Sequence, residues 1–282
     1  MPTSSPASLR ERLRPVSGRH NPLLKDLRGV YAHGALTDDG CYGIEGVRTM
    51  EEAIRSGVRF RAVFFSDAQN AATERLTQRI LQQIGHKVET LLVPAKLFQE
   101  VVTSDSPQGV AALVHRKEST LDDALRGAQP PLLMVAAGLQ DPGNLGTMLR
   151  SAEAFGAGGV VLGEGTVSAY NPKTVRATAG SIFRMPVVSA KMVDLLPQLR
   201  ERGLRLFATS SHKGTALTEA PLHEAAAIFV GNEGAGLPRD VMAKMDEVLA
   251  IPQVRPVESL NAGVAASILL YEAARQRGAP AG

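Results

Sequence analysis

The chain has 282 residues, which is enough for one large domain or two ordinary ones. Its composition, 44% hydrophobic but only 4% aromatic and without Trp, requires a core built mainly from Ala, Val, Leu and Ile, which suits helices packed on a parallel sheet. The net charge of +3 is concentrated in residues 1–28, which hold six Lys/Arg and two Asp/Glu, so a polyanionic partner is indicated unless this segment is only a solvated tail.

Several protein classes are disfavoured at once. The single cysteine, Cys41, excludes an internal disulfide and a cysteine-rich zinc site. No apolar run is long enough to form a transmembrane helix, and the first residues lack the apolar core of a signal peptide. We therefore expect a cytoplasmic protein with no membrane partner.

The first part of the chain predicts a small α/β domain. Residues 1–18 are rich in Ser, Pro and Arg, which predicts a flexible basic tail. Helical and strand patterns then alternate over 19–116, and the first helix can begin at Asn21 as N-cap, followed by Pro22. Further helices are predicted over 49–57, 70–85 and 94–102, and strands over 41–47, 60–66, 88–93 and 109–115.

A second domain is predicted over 131–282. Residues 117–130 are polar and rich in proline at their end, which indicates a linker. The next strand is apolar throughout, as expected for a sheet covered on both faces. Strands are predicted at 132–139, 159–163, 204–210, 226–231 and 248–252, and helices at 144–156, 171–180, 192–202, 238–245 and 259–277. The last helix is so apolar that we expect it to be buried in the domain or against a second subunit.

Common cofactor and hydrolase motifs are missing from the sequence. The stretch GNEGAG at 231–236 has the wrong glycine spacing for a dinucleotide fingerprint, and Lys173-Thr174 follows Asn-Pro instead of a phosphate-binding glycine loop. Neither HExxH nor GxSxG occurs, and the six histidines show no ligand spacing. No metal site is predicted.

Two segments of the second domain combine an apolar strand with a polar loop. In 141–163 a Pro-Gly turn leads into a helix that Asn144 can cap, and Arg150 follows within two turns. In 228–238 a strand enters a loop with three glycines around Glu233, where backbone can approach a ligand closely. Taken singly, the first segment could equally be an ordinary strand, loop and helix with a solvent-facing Arg, and a plain glycine turn would be the usual explanation of the second.

A third segment, 251–276, has polar residues immediately before the apolar last helix. Glu258, Ser259 and Asn261 are costly to bury there unless they are paired, which suggests a site. The alternative is that Ser259 or Asn261 simply caps the helix.

In this order, the three segments resemble the three motifs of the SpoU/TrmH family of RNA ribose 2′-O-methyltransferases. The resemblance covers about 131–277, and the stretch 171–187 between the motifs also looks like this family. A weaker resemblance over 19–116, carried by 43–57 and by residues 108–110, is to the RNA-binding domain at the N-terminus of many members. The motif positions are Asn144, Arg150 and Gly156, then Gly231, Asn232, Glu233, Gly234 and Gly236, then Ile251, Pro252, Ser259, Leu260 and Asn261.

The resemblance implies a parallel sheet between helices with a deep trefoil knot, S-adenosylmethionine as cofactor, and a homodimer through the knotted domain. It implies methyl transfer to a ribose 2′-hydroxyl, for which no metal is needed because the donor is already activated. The implied catalytic residues are Arg150, Asn144, Glu233, Ser259 and Asn261, and the implied cofactor-binding residues are Thr209, Gly231, Asn232, Gly236, Ile251 and Leu260. A guanidinium rarely deprotonates, so for Arg150 orientation of phosphate and stabilisation of the alkoxide is physically easier than general-base catalysis.

The expected partner is RNA, with large-subunit (23S) rRNA favoured. Its contacts should involve phosphates and RNA shape more than a base code, through Arg19, Lys25, Arg48, Lys173 and Arg176. Three alternatives share these motifs: a tRNA ribose 2′-O-methyltransferase, an antibiotic-resistance rRNA methyltransferase, and a non-catalytic RNA-binding ribosome-assembly factor.

Overall fold

A computed structural model describes residues 11–16, 18–68, 71–102, 107–210, 213–254 and 259–278. The chain divides into two compact units: Met1–Lys117 with Tyr170–Arg176, and Glu118–Ala169 with Ala177–Gly282. Residues 118–130, where the sequence predicts a linker, thus group with the second unit. Residues 170–176, predicted within the second domain, group with the first unit.

The first unit is built on a mixed sheet. Its strands in the described residues are β1 (Arg14–Pro15), β2 (Cys41–Glu45), β3 (Phe60–Ser66), β4 (Glu89–Val93) and β5 (Val110–His115). Their order is β1-β4-β3-β5-β2, and β5 runs antiparallel to both of its neighbours. The connecting helices are α1 (Pro22–His33), α2 (Val47–Arg55), α3 (Ala71–Gln83) and α4 (Ala95–Val101).

Helix α1 begins as the sequence predicts. Asn21 is the N-cap, and its side chain accepts a hydrogen bond from the backbone of Leu24 at 3.2 Å. The helix ends at Gly34, whose φ of +63° is the left-handed conformation that glycine adopts without steric strain. The face that carries Leu24 and Leu27 is buried in the core of the unit.

The predicted flexible tail over 1–18 is partly wrong. Residues 1–10 and 17 lie outside the described residues, but Arg14–Pro15 forms β1 and pairs with β4. The Thr90 hydroxyl donates to the backbone oxygen of Arg12 at 2.5 Å, and Val16 is buried. Composition predicted a tail because Ser, Pro and Arg lack a strand pattern, whereas the open edge of β4 supplies the hydrogen-bond partners.

The second unit confirms the predicted parallel sheet. Its described strands are β6 (Leu132–Ala137), β7 (Gly159–Leu162), β8 (Val187–Ser189), β9 (Arg205–Ser210), β10 (Thr215–Ala216), β11 (Ala226–Gly231) and β12 (Glu247–Ala250). They are ordered β10-β12-β9-β11-β6-β7-β8, and every pairing is parallel. Strands β6 and β11, at the centre, are buried at every position, which explains their uninterrupted apolar sequences.

Helices precede, connect and follow the strands of the second sheet. They are α5 (Leu121–Arg126), α6 (Pro142–Ala154), α7 (Pro172–Ala177), α8 (Met192–Glu201), α9 (Arg239–Met242) and α10 (Ala262–Gln276), and α7 lies almost entirely in the first unit. Helix α5 lies where the linker was predicted and begins with a capping box between Thr120 and Asp123. Beyond its end, a Cβ on Gly127 would lie 2.5 Å from the carbonyl oxygen of Gly158, so only glycine permits this approach.

The strand order reverses beside β6. From β6 the chain continues to β7 and β8 on one side, and it then returns to β9 and β11 on the other side. Loops after neighbouring strands diverge at such a reversal and leave a crevice at the carboxyl ends of the strands. The loop after β6 and the loop after β11 border this crevice.

Helix α10 packs closely against α6. A Cβ on Gly263 would lie 3.0 Å from the Thr147 Cβ, and the Ser151 and Ser267 hydroxyls are 2.7 Å apart. Small residues therefore let the two helices approach each other. In the described part of the chain, no helix combines the length and apolar character that crossing a membrane requires.

Candidate active site

A cleft of about 550 Å³ lies at the carboxyl ends of β9, β11 and β12. It is bordered by the ends of these strands, by the loop after β11 and by the start of α10. All six residues predicted to bind the cofactor line it: Thr209, Gly231, Asn232, Gly236, Ile251 and Leu260. Of the five predicted catalytic residues, Glu233 and Ser259 also line the cleft.

The loop after β11 depends on glycine and on one asparagine. A Cβ on Gly231 would lie 2.3 Å from the carbonyl carbon of Gly236, so a side chain there would displace the loop. The Asn232 side-chain oxygen accepts hydrogen bonds from the backbones of Gly234 and Ala235, both at 2.9 Å. Its amide nitrogen donates to the Gly138 oxygen at 3.0 Å. The Asn232 side chain thus shapes the loop, and backbone hydrogen bonds between Asn232 and Gly236 at 2.9 and 3.0 Å close it.

Glu233 joins the loop after β11 to the start of α6. Its Oε1 accepts from the Asn144 side chain at 3.0 Å and from the Asp141 backbone at 3.1 Å, and its Oε2 accepts from the Gln140 backbone at 3.2 Å. Desolvation would raise the pKa of Glu233, but these hydrogen bonds and one from its own backbone outweigh that effect and lower the pKa. A carboxylate at a helix N-terminus is further favoured by the helix dipole.

The suggestion that Asn144 caps α6 is wrong. Asp141 is the N-cap, because its side chain accepts from the Asn144 backbone at 2.7 Å, and Pro142 occupies the first turn. Asn144 is buried, with its side chain turned to Glu233. The Asp-Pro-Gly sequence was the available signal, since Asp followed by Pro is typical of a helix start.

Arg150 is separated from Asn144 by six positions along α6. That spacing corresponds to a rise of about 9 Å and a rotation of about 240°, so the two side chains leave the helix on different faces. The Arg150 side chain is exposed and makes no hydrogen bond or ion pair with any residue that the structure describes. It is not among the residues lining the cleft.

The polar residues before α10 have two different roles: one caps the helix and another lines the cleft. Asn261 is the N-cap of α10, and its side chain accepts from the Val264 backbone at 3.1 Å. Ser259 is exposed and faces the cleft, together with Leu260. Glu258 lies outside the described residues.

Comparison with known proteins matches both parts of the chain. Residues 131–271 match the model of the SpoU rRNA methylase family, and residues 21–112 match the MRM3-like substrate binding domain. The chain belongs to the SpoU rRNA methylase family. The predicted family and methyltransferase activity are thereby confirmed.

Several relatives of this SpoU chain align with it over almost its whole length. It is 33% identical to the Bacillus subtilis 23S rRNA (guanosine(2553)-2′-O)-methyltransferase RlmP, over 92% of this chain and 98% of the relative. A Sinorhizobium meliloti rRNA methyltransferase solved with AdoMet has a TM-score of 0.81 and 26% identity, over 94% of this chain and 98% of that one. AviRb from Streptomyces viridochromogenes, solved with AdoMet, has a TM-score of 0.81 and 26% identity, over 92% and 99%. The prediction of S-adenosylmethionine as cofactor is confirmed.

The cleft of this SpoU protein suits that cofactor. Its volume lies within the range of about 300–1,000 Å³ that small-molecule sites occupy. The lining includes aliphatic side chains, which suit a flat purine: Leu237, Leu249, Ile251 and Leu269. Polar groups suited to ribose and amino-acid parts are supplied by the glycine loop and by the hydroxyls of Thr209 and Ser259. The sequence indicated Ile251 but not Leu237, Leu249 or Leu269, because apolar residues at strand ends look the same whether they face a core or a ligand.

The five residues predicted to contact RNA all belong to the first unit and are exposed. Two of them make ion pairs: Arg19 with Glu100 at 2.7 Å, and Arg176 with Glu45 at 3.7 Å. Lys25, Arg48 and Lys173 have side chains that bond to no residue in the described ranges. These three cations remain available to a polyanion.

Proposed function

We propose that this enzyme transfers a methyl group from S-adenosylmethionine to a ribose 2′-hydroxyl of 23S rRNA. The observation that carries the proposal is the convergence of the second and third family motifs on one cleft, with Glu233 tying the first motif to it. The substrate is inferred from the relative RlmP, which matches nearly end to end. Such a substrate would place the enzyme with ribosomes in the cytoplasm.

The cofactor, when bound, supplies a methyl group already activated on a sulfonium, so the protein's task is alignment. Thr209, Ile251 and Leu260 would hold the cofactor with the glycine loop, while Leu249 and Leu269 would exclude water from the apolar part. The backbone at Gly231 would allow the ligand to approach the strand end closely. The Glu233–Asn144 contact would fix the start of α6 relative to this pocket.

Arg150 would orient the substrate phosphate and stabilise the developing alkoxide. Its exposure and lack of a partner among the described residues support this role, because an unpaired guanidinium can bind phosphate in a bidentate manner. Since Arg150 does not line the cleft of its own chain, we propose that it meets the substrate at a homodimer interface.

The dimer is supported by apolar side chains left on α10. Val264 and Tyr271 are 47% and 56% exposed on a helix that is otherwise largely buried, and Tyr271 stacks edge-on against Phe155 at 5.8 Å between ring centroids. Apolar patches of this kind favour association. The deep trefoil knot remains part of the proposal and rests on family membership.

The first unit would bind RNA through exposed cations, mainly by phosphate contacts. Its match to a substrate binding domain supports a model in which 19–116 binds the RNA and 131–282 transfers the methyl group. Binding should then weaken steeply as salt rises.

Two experiments test the proposal. Ribose methylation mapped across total RNA should lose a 23S rRNA position when the gene is deleted, and an unchanged 23S rRNA with a lost tRNA position would refute the substrate. For the dimer, Arg150→Ala and Gly231→Ala subunits are mixed at a cofactor concentration that loads the wild-type cleft but not the Gly231→Ala cleft. The mixture should restore about a quarter of the activity, because half of the dimers would then have one of their two sites complete. Mixed dimers without activity would refute action across the interface.

A further inference from the structure

Three side chains with metal-binding atoms meet at one end of the first unit's sheet. Cys41 begins β2 and His115 ends β5, and the two residues are directly opposite each other in the antiparallel ladder. Opposed residues point to the same face, so the Cys41 Sγ lies 3.4 Å from the His115 Nδ1. The Asp39 Oδ2 lies 3.6 Å from the same sulfur, and all three donor atoms lie within 4.8 Å of one another.

These separations match those between ligands of a tetrahedral metal ion. Zinc binds thiolate sulfur at about 2.3 Å and imidazole nitrogen or carboxylate oxygen at about 2.0 Å. With tetrahedral angles, sulfur would lie about 3.5 Å from either of the other donors. The two distances measured from Cys41 are both close to this value, so the side chains need little rearrangement to bind.

We propose that Asp39, Cys41 and His115 form a binding site for Zn²⁺ or a transition-metal ion of the same class, separate from the methyl-transfer cleft. The donor set of one sulfur, one nitrogen and one oxygen selects this class over Mg²⁺ and Ca²⁺, which require oxygen ligands. A fourth position is left for water or another ligand, as in zinc sites with three protein ligands.

The surroundings hold Asp39 in a suitable orientation. Its Oδ1 accepts hydrogen bonds from the Thr37 hydroxyl and from Arg61 at 2.9 Å, which leaves Oδ2 for a metal ion. The Thr37 hydroxyl also accepts from the Cys41 backbone at 2.9 Å and thereby fixes the turn between them. Such outer contacts orient metal ligands in known sites.

Charge and protonation are also compatible with a divalent ion. Arg61 is shared between Asp39 and Asp26, so its positive charge is already compensated. A thiolate and a divalent ion added to this ion-paired group bring its formal charge to zero. The metal ion would replace the proton of the Cys41 thiol, which is released to solvent.

The sequence predicted no metal site because only one cysteine is present and the histidines show no ligand spacing. His115 and Cys41 are 74 positions apart, and strand pairing alone brings them together. The ion would join the 37–41 turn to the end of β5.

The test uses the full-length chain, stripped with a chelator and then titrated with Co²⁺ or Zn²⁺. We expect one metal ion per chain by elemental analysis and a thiolate-to-cobalt charge-transfer band in the near ultraviolet. Asp39→Asn, Cys41→Ser and His115→Gln should each weaken binding at least about 100-fold, because removing an outer-shell partner alone weakens metal affinity about 10–100-fold. Two control variants should bind the metal as the wild type does. Asp38→Asn changes the exposed carboxylate next to Asp39, and His86→Gln changes an exposed histidine outside the cluster.

Stability provides a second measurement. Zn²⁺ should raise the melting temperature of the stripped wild type and of both control variants, but not that of His115→Gln, which changes a half-buried residue at a strand end and should still fold. Failure of the wild type to retain metal would overturn the proposal. The same cobalt spectrum in Cys41→Ser, or the same zinc-induced stabilisation in His115→Gln, would also overturn it.

Discussion

Replacing Glu233 by Gln tests whether this residue holds the active-site loop to α6. The substitution keeps the size of the side chain and removes its charge. A glutamine oxygen at the Oε1 position can still accept from Asn144 and Asp141, but its amide group then faces the Gln140 backbone, where two donors would oppose each other. One hydrogen bond is removed and the other two become neutral ones.

The magnitude follows from these three hydrogen bonds. Hydrogen bonds to a charged group contribute about 1.5–3 kcal/mol and neutral ones about 0.5–1.5 kcal/mol, but Glu233 is exposed and water can replace the missing partner. We therefore expect the free energy of unfolding at neutral pH to fall by about 1–2 kcal/mol. Affinity for S-adenosylmethionine should also fall, because the loop that lines the cleft loses its anchor.

The effect should depend on pH in a defined direction. Hydrogen bonding lowers the pKa of Glu233 in the folded protein, so its contribution is fully present above the unfolded pKa of about 4.3 and is lost as pH falls through the lower, folded pKa. The difference between wild type and Glu233→Gln should therefore be constant near neutrality and shrink in acid.

Urea unfolding at several pH values, with calorimetry of cofactor binding, measures both quantities. Glu201→Gln provides the matched control, since Glu201 is exposed at the end of α8 and its side chain bonds to none of the described residues, and it should change stability by less than about 0.5 kcal/mol. Equal stability of Glu233→Gln and the control at neutral pH would refute the role assigned to Glu233.

Three further predictions concern the cofactor, the reaction and the RNA. Arg150→Ala should abolish methyl transfer while calorimetry still detects normal cofactor binding; normal turnover would remove Arg150 from the mechanism. Gly231→Ala should weaken cofactor binding by about tenfold or more, because the new methyl group would lie 2.3 Å from the Gly236 backbone; unchanged affinity would mean that the loop tolerates displacement. Lys25→Ala and Arg48→Ala should each weaken RNA binding and make the slope of log affinity against log salt shallower, by about 0.7–0.9 for each phosphate that the variant no longer neutralises; an unchanged slope would exclude a phosphate partner for that side chain.

The sequence alone determined those features that depend on local pattern. The cap at Asn21 and the central strands of the second sheet were predictable, because capping geometry and apolar runs are properties of neighbouring residues. Family motifs added the residues around the cleft, including the glycine at 231 whose close approach to Gly236 the structure explains. These features need no knowledge of how distant segments pair.

Tertiary structure decided the rest. Tertiary contacts determine that Asp141 caps α6 and that the Asn144 side chain donates a hydrogen bond to Glu233, which lies 89 positions away. They also pair β1 with β4, and they place Cys41 opposite His115. Each of these contacts depends on the register of segments far apart in the chain, and periodicity within a segment carries no information about register against another.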